Sequence, residues 1–180
     1  MERLIKVLCG STLCLLFGCM QQDQQMMQQM EANKKVAKDS WEAFNQKDAA
    51  KAASYYADNG VVVEYGAQKP DSGRAQIQQT WQAYITAFPD AHVSIEAEVA
   101  HGDMVVLRWL GTGTNAGPLM EMPATNKRVE IHGCSIYHIA NGKIVHEWEY
   151  WDHAGFMRQL GMMPEPGAAS MGMKKDMKKK

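Results

Sequence analysis

Apolar residues at helical spacing open the folded part of the chain: Val36, Ala37, Trp41 and Phe44 predict a helix over 31–46. Asp48 is placed to cap a second short helix through Tyr56, ended by Asp58-Asn59-Gly60. Residues 61–65 read as a β-branched strand and Pro70-Asp71-Ser72-Gly73 as a turn. Residues 74–88, with Ile77, Trp81, Tyr84 and Ile85, predict a helix that Pro89 stops. From there the period changes. Segments 92–99, 104–114, 128–139 and 143–151 alternate or run apolar as strands do, and His101-Gly102-Asp103 and Asn141-Gly142 supply hairpin turns. A last short helix follows Asp152 to Leu160, closed by Gly161 and followed by Pro164 and Pro166. Helices, then a strand, a helix and four antiparallel strands make an α+β domain, whose sheet must curl around the helices to bury its one apolar face.

The N-terminus follows different rules. Arg3 and Lys6 precede an apolar run over 7–17, too short for a membrane span of about 20 residues and suited to a signal-peptide core. It ends in Leu16-Phe17-Gly18-Cys19, which resembles the bacterial lipoprotein signal. That resemblance implies cleavage after residue 18, acylation of Cys19 and a place in the bacterial cell envelope. Met20 in the next position resembles the pattern sorted to the outer membrane, facing the periplasm. Residues 19–30, rich in Gln and Met, read as a tether or as the frayed start of the first helix, 31–163 as the domain, and 164–180 as a disordered Met/Lys tail. Cys134 is then the only cysteine of the globular part.

Composition narrows the function. The 180 residues are 46% hydrophobic and 22% charged, with a net charge of -1. One domain with a sizeable core fits these values; disorder and a multi-span membrane protein do not. Without the first 18 residues (two basic, one acidic) and the last seven (five Lys, one Asp), 12 basic residues face 18 acidic ones. A nucleic-acid partner is therefore not expected. Nor is a metal. His132 and His138, six residues apart on one strand, stand about 20 Å apart, and His146 and Asp152 fail as a pair for the same reason. His138 near Glu147 reads as a cross-strand surface pair.

Several short motifs occur in order: Phe88-Pro89-Asp90, Gly102-Asp103-Met104-Val105-Val106, Gly113-Thr114, Pro123, Gly142-Lys143-Ile144 and Gln159-Leu160-Gly161. Together, over 31–163, they resemble the SnoaL-like polyketide cyclase (ester cyclase) group of the NTF2-like superfamily. The resemblance implies a cone: a strongly bent antiparallel sheet wrapped on N-terminal helices around one apolar pocket, commonly as a homodimer. It also implies cofactor-free chemistry, in which a pocket carboxylate near the end of the last strand takes a proton from carbon and returns it. Glu149 matches that position, and Asp152 lies three residues on. Where the cyclases carry a histidine, this chain has Ser135, which cannot shuttle protons near neutral pH and argues against polyketide cyclisation itself.

Residues three apart on a strand face opposite ways, so one of Glu149 and Asp152 belongs to the pocket. A two-residue Asn141-Gly142 turn sets Asp152 on a face with Tyr137 and Trp148. A three-residue loop instead sets Glu149 beside Gly133, Ser135 and Tyr137. Asp152 also suits the cap of the last helix. Candidate substrate-binding side chains are Ser135, Tyr137, Trp148, Tyr150, Trp81, Tyr65 and His132. Two functions remain open: a cofactor-independent acid/base enzyme for a small apolar carbonyl compound or ester, and a non-catalytic membrane-anchored module that binds an apolar ligand or a protein partner.

Overall fold

From residue 21 to its end, the first helix buries one stripe of side chains and leaves the rest to solvent. The computed structural model describes residues 2–164, with side chains from residue 21 onward. The acyl group expected on Cys19 and the tail from residue 165 lie outside the described residues. Helix α1 (Glu2–Asn45) includes the Gln/Met-rich segment, where Met26 and Met27 are exposed, and continues into the buried Ala37, Trp41 and Phe44. Among the described residues, no helix is long and apolar enough to cross a membrane.

After α1 come α2 (Ala49–Ser54), β1 (Tyr56–Glu64), β2 (Asp71–Ser72), α3 (Arg74–Ala87), β3 (His92–His101), β4 (Met104–Thr114), β5 (Arg128–Ala140), β6 (Lys143–Trp151) and α4 (His153–Gln159). Asp48 caps α2 by accepting from the Lys51 backbone N–H. That helix stops sooner than expected, because Tyr56 is drawn into the core and paired with Ile144. Asp58-Asn59-Gly60 is consequently a register break inside β1, not a helix terminus. Asp71 and Ser72, read from sequence as part of a turn, pair with Val62 and Val61 as a short edge strand.

The six strands form one sheet in the order β2-β1-β6-β5-β4-β3. Its neighbours are antiparallel except β1 and β6, which run parallel. The four C-terminal strands pair antiparallel as expected, while β1 lies between β2 and β6 and runs parallel to β6. Bulges between Ile95 and Ala97 on β3, and between Ile144 and His146 on β6, bend the sheet over the helices. Asn45 clasps α1 to β3, its side chain both donating to and accepting from the Val93 backbone at 2.8 Å. The Trp41 indole donates to the Tyr137 hydroxyl at 2.7 Å, joining α1 to the sheet through the core.

Candidate functional site

The C-terminal strand carries two glutamates, and one extra residue decides which way they face. Asn141 and Gly142 both take positive φ, 52° and 70°, in a two-residue turn. With no further irregularity, that turn would set Asp152 inward. Instead Ile139 pairs with Ile144 and His138 with His146, so Val145 is left over as a bulge. Beyond it the alternation is reversed: Tyr137 pairs with Glu147, and Ser135 with Glu149. On the other side of β6, Val62 pairs with Glu147 and Glu64 with Glu149. Three glutamates therefore share the inner face.

They line a cavity of about 140 Å³ together with Asp71. Its walls are largely aromatic: Trp41 and Phe44 from α1, Trp81 and Tyr84 from α3, Trp109 from β4 and Trp151 from β6. Trp41 and Trp81 stack with centroids 5.4 Å apart. Trp109 fits because residue 133 is glycine, where a Cβ would fall 2.2 Å from the indole ring. Its indole N–H then donates to Ser135 Oγ at 3.1 Å. The lining residues include no Lys, Arg or His.

The carboxyls differ in their neighbours. Glu147, 2% exposed, accepts a hydrogen bond from the Tyr56 hydroxyl. Burial pushes its pKa up, and the hydroxyls of Tyr56, Ser135 and Tyr137 oppose that shift by stabilising the charge. Glu149 has no such support. Burial, followed by the charges of Glu147, Glu64 and Asp71, holds it well above the usual carboxylate range. Burial, then Asp71 and Glu147, pushes Glu64 up to about 7, against a hydrogen bond from Trp151. The same burial keeps Tyr56, Tyr84 and Tyr137 as neutral phenols. Among the described residues, no group of three or more His, Cys, Asp or Glu side chains is arranged to hold a metal ion.

Of the residues expected from sequence, the structure places Glu149 and Trp81 on the cavity lining. Ser135 and Tyr137 are fully buried beside it. Asp152 is elsewhere: it caps α4, accepting from the Gly155 N–H at 2.7 Å, with Arg158 at 3.6 Å. Trp148, Tyr150, Tyr65 and His132 do not line the cavity. Trp148 and Tyr150 alternate with the inward glutamates on β6; Trp148 stacks on His146, and Tyr150 on the exposed Tyr65. His132 lies 3.5 Å from Glu96, its side chain largely exposed. The surface pair expected between His138 and Glu147 is corrected too, since the bulge turns Glu147 inward while His138 lies 3.1 Å from Asp103.

Glu147, Glu64 and Asp71 were missed as site residues. Their signal was present but weak: Glu147, Glu149 and Trp151 alternate, and Glu64 is a lone charge ending a Val-Val-Val run. Asp71 gives none, because it enters the cavity through a two-residue strand.

Solved structures share this architecture. A proposed hydroxylase, AclR from Streptomyces galilaeus, superposes with a TM-score of 0.67 at 24% identity, over 75% of this chain and 99% of that one. IdmH, a proposed polyketide cyclase from Streptomyces antibioticus, gives 0.62 at 26% identity over 72% and 98%. An LEH-like epoxide hydrolase of Mycobacterium tuberculosis gives 0.61 at 14% identity over 74% and 92%, a likeness of fold alone. No curated protein matches the chain in sequence. Residues 34–160 match the description "SnoaL-like polyketide cyclase". With that match spanning most of its length and the bent α+β sheet of the NTF2-like fold, the chain belongs to the SnoaL-like polyketide cyclase family.

Proposed function

We propose that the protein is a cofactor-independent acid/base enzyme, of ester-cyclase or isomerase type, acting on a small apolar carbonyl compound or ester. The observation that carries this reading is Glu149: a carboxyl in an aromatic cavity, with no side chain donating to it among the described residues. Once ionised, such a group is a stronger base than a solvated carboxylate and sits where a carbon acid would bind. It takes the proton α to the carbonyl, the electrons pass to the carbonyl oxygen, and the proton returns to the same or another carbon. Glu64, beside it in register, is the group to donate to the developing oxyanion, since an apolar site keeps a carboxyl neutral enough to do so. A cavity of about 140 Å³ admits roughly one six-membered ring, by comparison with cavities that hold benzene.

Cyclohexanone in D₂O is a direct probe, read by the loss of its α-proton NMR signal. The wild-type protein should accelerate exchange over buffer, and Glu149→Gln should abolish the acceleration in a folded protein. Equal rates in both would remove Glu149 as the base; binding of small ketones with no exchange would support the binding-module reading.

We also propose that the mature chain begins at acylated Cys19 and is held on the bacterial cell envelope, at the outer membrane facing the periplasm. Arg3, Lys6, the apolar run and Gly18-Cys19 support this. Intact-mass analysis of membrane fractions should give a chain starting at a lipidated residue 19; an unmodified Cys19 or another first residue would end the idea. A homodimer, if formed, would use the outer face of the sheet, where Tyr65, Val99 and Tyr150 are exposed.

A further inference from the structure

An imidazole stands next to the cavity in a place no family motif marks. His153 opens α4, and its Nε2 lies 3.1 Å from Oε1 of Glu64. The ring lies flat on Trp151, with centroids 3.6 Å apart and planes inclined by 20°. Gly66 makes room for it: a Cβ there would come within 2.8 Å of the imidazole, and its φ of 114° suits glycine. Nε2 is buried and makes no hydrogen bond among the described residues; Oε1 of Glu64 is within reach but out of line with the ring N–H, so a small turn of either side chain closes the bond, and the side chain as a whole is 29% exposed. One edge of the ring thus faces a cavity carboxyl, and the rest reaches toward solvent.

We propose that His153 and Glu64 form a proton-exchange pair connecting the cavity to solvent, with His153 acting as a positioning residue through Glu64. The proposal rests on the acid/base reading above. It supplies the imidazole that Ser135 lacks, from a different element. When Glu64 gives its proton to an oxyanion, His153 takes one from water at its accessible edge and passes the Nε2 proton to Oε1 of Glu64. Only protons move, and no other reactant is needed.

The surroundings tune both partners. Glu64 faces Asp71 from β2, Glu147 and Glu149 from β6 and the Tyr84 phenol from α3. His153 has Asp152 beside it, and Asp152 in turn has Arg158 at 3.6 Å. Burial and the acidic neighbours bring Glu64 up to about 7, while burial lowers His153 from 6.5 against the pull of Asp152. Glu64 therefore holds its proton more tightly than a solvated carboxyl does, and His153 holds its own less tightly than a solvated imidazole.

Substrate-free NMR titration of the protein with ¹³C-labelled Glu and ¹⁵N-labelled His tests the pair. The Glu64 carboxyl and His153 imidazole signals should move together through two common midpoints, and His153→Phe should displace the Glu64 midpoint by about one pH unit or more. In cyclohexanone exchange, His153→Ala should slow turnover and added imidazole should restore it. His153→Gln, which keeps the shape, should be slowed without altering the fold. Independent titration, with the Glu64 midpoint unmoved in His153→Phe, overturns the pair. If Glu149→Gln stops exchange but the His153 variants leave it unchanged, the pair falls and the catalytic reading stands. If the wild type shows no exchange yet the signals are coupled, the catalytic reading falls and the shared proton stands.

Discussion

Glu147 and Glu149 lie two residues apart on one face of one strand, and their donors make them different groups. Tyr56, Ser135 and Tyr137 support charge on Glu147; nothing comparable supports it on Glu149. Opposed environments of this kind let carboxyls in one pocket take separate roles. Glu64 turns the same physics into a stability effect. It holds its proton up to about 7 when folded, against 4.5 ordinarily, so the folded chain binds the extra proton between those values. Stability should then fall as pH rises through that window, by on the order of 3 kcal/mol at 1.36 kcal/mol per unit. Glu64→Gln should flatten the slope. Melting curves at pH 5 and pH 8 check this; a wild type more stable at pH 8, or a variant with the same slope, contradicts it. At this scale the sequence was legible where one residue type has one strong preference. Asp48 and Asp152 are caps because a short carboxylate before a helix has free N–H groups to satisfy. Glu147 was read on the wrong face, since its alternation with Glu149 and Trp151 is a weak signal and a charged residue between His146 and Trp148 fits the surface as well.

At the scale of elements, β4 and β6 run over the residues expected, because strong alternation and tight turns leave little freedom. What alternation does not show is a bulge. The turn at Asn141-Gly142 is the short form, yet the inward residue is the one expected from the longer loop, because Val145 adds the residue that the turn does not. Whether Val145 bulges depends on what both faces of β6 pack against, and that is set by β1 and the helices. Deleting Val145 should therefore return Glu147 and Glu149 to the outer face. Unfolding, or a folded protein without exchange activity, is the expected outcome; a deletion variant with wild-type melting and exchange would contradict the bulge's role. Asp152→Ala should cost about 1 kcal/mol through loss of the α4 cap. Denaturant unfolding measures that cost, and a fall in exchange activity beyond the loss of folded protein would mean that Asp152 has a part in the chemistry. The parallel pairing of β1 with β6 was equally hidden, being a contact between distant segments with no local signature.

The described residues form a cone with an aromatic cavity that joins both helical and strand elements. The α+β class and the curl of the sheet were legible from the order of elements, because one apolar sheet face and a few helices have few ways to pack, while the cone and its pocket came from the family resemblance. The contents of the cavity were only half legible: Glu149 came from the family resemblance and Trp81 from a helical period, while Glu64 and Asp71 reach it through tertiary pairing. The central claim is that Glu149, held protonated by burial and its acidic neighbours, becomes a base for carbon acids once ionised. It is tested most directly by the pH dependence of kcat/KM for α-proton exchange of cyclohexanone, in the wild type and in Glu149→Gln. The expected profile rises with pH through a midpoint well above the ordinary carboxylate value of 4.5, and is absent in the variant. A midpoint near 4.5, or a Glu149→Gln protein with the wild-type profile, would contradict the account.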